Sequence, residues 1–105
     1  MYKINEKETF CVAMATKVLG DKWTARLLVV LFNNPKHFCE IQSELNGINP
    51  RTLSLRLSKL VELGIIEKHQ TNDSENRPEY KLTTMGNDLF PILEAMAAWG
   101  KKYRK

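Results

Sequence analysis

The chain is poor in the features that build a catalyst, a secreted scaffold or a membrane protein. It has two cysteines, Cys11 and Cys39, too few for a disulfide framework, and both are expected to be thiols. No apolar run exceeds six residues, the length of Leu27 to Phe32, against about 20 needed to cross a bilayer. The start, MYKINEKETF, lacks the apolar core of a signal peptide. A cytoplasmic protein without a membrane partner is expected. There is no glycine-rich phosphate loop, and His37 and His69 stand beside no nucleophile motif, so no enzyme is expected. Cys11, His37, Cys39 and His69 show no Cys-x-x-Cys or close histidine pairing, which argues against structural zinc and leaves no metal or cofactor expected.

What remains is a chain able to fold. Its 105 residues, 43% hydrophobic and 27% charged, suit one domain spanning residues 1–105 with an apolar core. Sixteen Lys and Arg outnumber twelve Asp and Glu, a net charge of +4. Residues 1–49 are nearly balanced, with six bases and five acids, whereas residues 50–105 hold ten and seven. Pro50 to Val61 carries Arg51, Arg56 and Lys59 with no acid. A polyanion is expected to meet that segment.

Apolar spacing divides the chain. Phe10, Ala13, Met14, Val18 and Leu19 recur near helical period and stop at Gly20. Asp21 can cap a second helix over Lys22 to Asn33, apolar on nearly every side and therefore expected at the domain centre. Asn33, Asn34 and Pro35 end it. Phe38, Ile41 and Leu45 mark a helix of about two turns, followed by Asn46 and Gly47, which tolerate left-handed backbone angles. Asn49 then caps a helix with Pro50 in its first position, the stripe Leu53, Leu57 and Leu60, and Gly64 at its close.

Beyond Gly64, Ile65 to His69 and Glu79 to Leu82 read as two strands of a hairpin, with Tyr80 and Leu82 on one face and Thr71 to Pro78 at the tip. A helix restarts at Thr83 or Thr84, carrying Met85, Leu89, Ile92, Leu93, Met96, Trp99 and Tyr103. Pro91 inside it implies a kink or two consecutive helices. The expected fold is mainly α with a small β-hairpin, a helix-turn-helix followed by a wing.

A helix that enters a major groove is held by one apolar stripe and shows basic and small polar residues opposite. Counting about 100° per residue from Leu53 turns Arg51, Thr52, Leu55, Arg56 and Lys59 away from the stripe. They are the candidate DNA contacts, with backbone amides near Asn49 to Thr52 inviting a phosphate. Arg56 suits either a guanine edge or a phosphate. Leu55 is either an exposed contact for a thymine methyl or part of the core.

Several segments together resemble the HxlR-type winged helix-turn-helix regulators, relatives of the MarR group. They are Gly-Asp-Lys-Trp at 20–23, Pro-Lys-His-Phe at 35–38, Leu-Asn-Gly-Ile-Asn at 45–49, Leu-Val-Glu-Leu-Gly-Ile-Ile at 60–66, Arg-Pro-Glu-Tyr-Lys-Leu-Thr at 77–83 and Ala-Trp-Gly at 98–100. The resemblance implies a bacterial transcription factor, a homodimer joined through its terminal helices, with partner double-stranded DNA. On it, Phe10, Met14, Leu93, Met96 and Trp99 become the expected dimer interface, and Arg77 the wing residue that reaches DNA. Cys11 matches a cysteine through which some members sense oxidants or electrophiles; an ordinary cysteine on an apolar helix side is inert.

The match departs at Val12, where proline is common, at Pro78 after the wing arginine, and at Asp73 and Glu75, acids that would repel phosphate from the wing tip. A two-fold dimer would set its recognition helices about 34 Å apart, one turn of B-DNA, on a pseudo-palindromic site. The alternative function is a winged-helix module for protein contacts only. Lys101, Lys102, Arg104 and Lys105 are expected to be solvated.

Overall fold

The computed structural model describes residues 3–72 and 76–104. Among the described residues nine elements follow in order: α1 (Glu6–Leu19), α2 (Thr24–Phe32), β1 (Lys36–His37), α3 (Phe38–Glu44), α4 (Pro50–Glu62), β2 (Ile66–Gln70), β3 (Pro78–Leu82), α5 (Thr84–Asn87) and α6 (Phe90–Tyr103). The α3–turn–α4 unit is the helix-turn-helix, and β2 and β3 form the wing. The expected tip acids Asp73 and Glu75, like Lys105, lie outside the described residues.

Local chemistry sets the helix ends. Asn5 caps α1 by accepting from the Glu8 N–H at 2.8 Å, and Glu8 accepts from the Asn5 N–H in return. The Asp21 Oδ1 accepts from the Trp23 and Thr24 N–H groups, both at 2.8 Å, in the turn before α2, but the helix starts later than expected, running from Thr24 to Phe32 with Trp23, not Asp21, at its N-cap position. Gly47 and Gly64 take positive φ, 93° and 79°, where the chain reverses after α3 and α4. Pro91 resolves into two consecutive helices: α5 ends before it, and Pro91 sits in the first turn of α6, where its missing N–H is harmless.

The core gathers Leu27, Leu28 and Leu31 of α2, Ile41 of α3, Leu53, Leu57 and Leu60 of α4, and Ile66, Tyr80 and Leu82 of the wing. Three expectations are corrected. The hairpin is part of a three-stranded antiparallel sheet of order β1-β3-β2, with Lys36 opposite Tyr80; two residues are too short for any period to announce β1. The central helix is not covered all round, because Val29 is 52% exposed. Leu93, expected to face a second chain, belongs to this chain's own core.

The terminal helices are barely packed. α1 has no buried residue and α6 buries only Leu93. The radius of gyration is 15.4 Å, above the roughly 13 Å of a compact chain of this length. Among the described residues, no helix is long and apolar enough to cross a membrane.

Candidate nucleic-acid interface

Helix α4 is pinned by its leucine stripe, with Leu53, Leu57 and Leu60 almost wholly buried. The opposite side is open: Arg51, Ser54, Leu55, Ser58 and Lys59 are exposed. Leu55 is 58% exposed, which excludes the core alternative. Thr52 and Arg56 are half-buried on one flank of the helix.

Arg56 departs most from the expected outward set: three residues on from Leu53, it lies only about 60° round the helix from that leucine, and the structure puts it on the flank. Its Nε lies 3.3 Å from Asp21 Oδ1, enclosed by the protein but without hydrogen-bond alignment to any acceptor. The arginine therefore leans toward the junction of α1 and α2 instead of standing straight out. Asp21 also accepts from the Thr24 hydroxyl at 2.5 Å. Partial burial pushes the Asp21 carboxyl up, but the Thr24 hydroxyl, the backbone N–H groups of Thr24 and Trp23 and the Arg56 charge together hold it below the usual carboxylate range.

The expected phosphate seat at the helix start is also modified. Asn49 Oδ1 accepts from the Arg51 N–H at 2.8 Å and the Thr52 N–H at 3.4 Å, while the Leu53 N–H donates to the Asn49 carbonyl at 3.0 Å. Pro50 has no N–H. Those amides are satisfied within the chain, so charge at this end comes from the dipole and the Arg51 guanidinium.

Arg77 lies where the wing tip runs into β3, half-buried. Its Nη1 donates to Cys39 Sγ at 3.5 Å, and its carbonyl accepts from the Thr71 hydroxyl at 2.6 Å. The described wing thus holds this arginine against the start of α3. On β2, Glu67 Oε1 stands 3.0 Å from His69 Nε2 and 3.8 Å from Lys81 Nζ. The hydrogen bond from His69 is the main reason that the Glu67 carboxyl lies below its ordinary value.

Sequence reasoning missed three outward groups. Ser54 and Ser58 stand on the exposed side of α4, and Lys68 of β2 lines a cavity of about 250 Å³ with Ser58, Val61 and Tyr80, between α4 and the wing. Alternation from buried Ile66 would have placed Lys68 on the same sheet face. Cys11 and Cys39 are free thiols on exposed residues. Of the expected dimer residues, Phe10, Met14, Met96 and Trp99 are 46–68% exposed. Among the described residues, no three His, Cys, Asp or Glu side chains could together hold a metal ion.

Residues 18–105 match the family model described as HxlR-like helix-turn-helix. An uncharacterized HTH-type transcriptional regulator of Mycobacterium tuberculosis, MT3179, is 36% identical over 92 residues, 88% of this chain. The chain spans only 58% of that relative's length. The HTH-type transcriptional regulator YodB of Bacillus subtilis is 30% identical over 97 residues, 90% of this chain and 87% of its own. Among solved structures, the redox regulator HypR in its reduced form superposes with a TM-score of 0.84 at 31% identity, covering 90% of this chain and 93% of the other.

Proposed function

The chain belongs to the HxlR-like helix-turn-helix family, and on that premise we propose that it is a sequence-specific DNA-binding transcriptional regulator acting in the cytoplasm as a homodimer. The observation that carries this reading is the open side of α4. Arg51 and Lys59 stand exposed there with Ser54, Leu55 and Ser58 between them, while the leucine stripe opposite fixes the helix. Arg51 and Lys59 neutralise phosphates, and Leu55 meets a thymine methyl. Thr52 and Arg56 contact DNA from the flank, Arg56 with the guanidinium nitrogens that Asp21 leaves free. Asn49 caps the helix and lies close to the backbone. Arg77 reaches the adjacent phosphates from the wing.

Dimerisation follows from what the single chain leaves bare. Phe10 and Met14 on α1 and Met96 and Trp99 on α6 are large apolar side chains facing water. A second copy would cover them and set two α4 helices on neighbouring major grooves.

Cys11 supplies a redox input. It is an exposed thiol on α1, the helix that carries Phe10 and Met14, so oxidation there would alter the contact between copies. Binding selection on random duplexes, followed by footprinting, tests the assignment. A recovered site with two related halves supports it; recovery of no preferred sequence contradicts it.

A further inference from the structure

The cavity between α4 and the wing, about 250 Å³, is lined by Ser58, Val61, Lys68 and Tyr80. Sheet register brings two of these together. Lys68 on β2 stands opposite Tyr80 on β3, and the Lys68 Nζ lies 5.9 Å from the centre of the Tyr80 ring. Ser58 comes from the helix. Two residues on from Arg56, it is turned about 200° round α4, so its flank faces the wing and not Asp21.

The donors of this cavity lack partners within the chain. Tyr80 is only 8% exposed, yet its hydroxyl makes no hydrogen bond among the described residues. Buried polar groups normally have a partner. The hydroxyl is not sealed in either, since Arg56 Nε is the enclosed side-chain polar atom without a partner among the described residues; the Tyr80 hydroxyl therefore opens onto the cavity that its ring lines. The Ser58 hydroxyl makes no hydrogen bond and Lys68 no ion pair among the described residues. Glu67, next to Lys68 in the chain, points to the other sheet face, where it meets His69 and Lys81.

Two hydroxyls and one ammonium, with no carboxylate in the lining, suit an oxyanion of single negative charge. A phosphodiester matches that charge; free phosphate near neutral pH carries more. Val61, 37% exposed, adds an apolar wall that fits the sugar beside a phosphodiester and gives a bare ion nothing. We propose that Ser58, Lys68 and Tyr80 seat one phosphodiester of the DNA backbone, so that the strand passes between α4 and the wing. Lys68 neutralises the charge, and the Tyr80 hydroxyl, donating from a ring fixed in the core, sets the position of the strand. The seat is additional to the contacts of Arg51, Lys59 and Arg77, and it rests on the DNA-binding reading.

The test uses the full chain and a duplex recovered by selection, with affinity measured against salt. Lys68→Ala is expected to weaken binding and to make the slope of log affinity against log salt shallower by about 1 for each chain bound. Lys81→Ala, on the opposite sheet face, is expected to keep the wild-type slope. Tyr80→Phe is expected to lower affinity about tenfold with slope and urea midpoint unchanged, because the hydroxyl carries no charge and holds nothing in the free chain. Equal losses in Lys68→Ala and Lys81→Ala, or wild-type affinity in Tyr80→Phe, overturn the seat. Saturable amide shifts at Ser58 and Lys68 with inorganic phosphate, in a chain whose duplex affinity ignores Lys68→Ala, mark a site for free anions and overturn it too. Failure of the DNA reading shows differently, as a wild type that binds no duplex at low salt, and it takes the seat with it.

Discussion

Arg56 on α4 and Asp21 between α1 and α2 stand 3.3 Å apart, Nε to Oδ1, and the same carboxylate accepts from the Trp23 and Thr24 N–H groups at the start of α2. One side chain thus anchors the start of α2 and tethers α4. The orientation of α4 is thereby coupled to the end of α1.

Removing that carboxylate is expected to cost more than a surface ion pair. Asp21→Ala should lower stability by about 1–2 kcal/mol through loss of the hydrogen bonds it accepts from Trp23 and Thr24, whereas exposed pairs are typically worth under about 1 kcal/mol. Urea denaturation measures it. The folded-state value of the Asp21 carboxyl lies below its ordinary one, so its contribution is fully present above the ordinary aspartate range and is lost as pH falls through the folded value. The gap between wild type and Asp21→Asn should therefore narrow in acid.

Gly86 is expected to tolerate no side chain. A Cβ there would run into the Ile65 carbonyl and the Leu82 side chain, because α5 is drawn onto the start of the wing by Thr83. The Thr83 hydroxyl donates to the Gly64 carbonyl at 2.6 Å and accepts from the Gly86 N–H at 3.2 Å. Gly86→Ala should destabilise by about 1–3 kcal/mol from overpacking, read from the urea midpoint with an unchanged slope.

The apolar faces of the terminal helices give a third expectation. Trp99→Glu or Met96→Glu should lower the mass in sedimentation equilibrium from two chains to one, since both residues are exposed in the single chain and a buried carboxylate at an interface lacks a partner. Unchanged mass in both variants would rule out this face as the dimer contact.

For the redox input, operator binding is compared before and after a mild oxidant. The wild type should respond and Cys11→Ser should not; Cys39→Ser should respond like wild type. An equal response in wild type and Cys11→Ser would remove Cys11 from the mechanism.

Much of this architecture was legible because the signals are local. Asn49 with Pro50 announces a helix start, and Leu53, Leu57 and Leu60 its buried side; Tyr80 and Leu82 show the alternation of a half-buried strand, and all three leucines, Tyr80 and Leu82 are buried. What escaped depends on distant partners. β1 is defined only by its pairing with β3. Arg56 sits near the boundary between the helix's two sides, where a remote Asp21 decides its direction. Leu93 and Trp99 belong to one stripe in the sequence, but contact with α2 buries the first and leaves the second bare.

The central claim, that the open side of α4 meets DNA, is tested most directly by the salt dependence of duplex affinity in wild type and in Arg51→Ala with Lys59→Ala. Each neutralised phosphate contributes about 0.9 to the slope of log affinity against log salt. The account expects weaker binding and a slope shallower by about 2 in the double variant, with the dimer intact. Affinity and slope equal to wild type would contradict it.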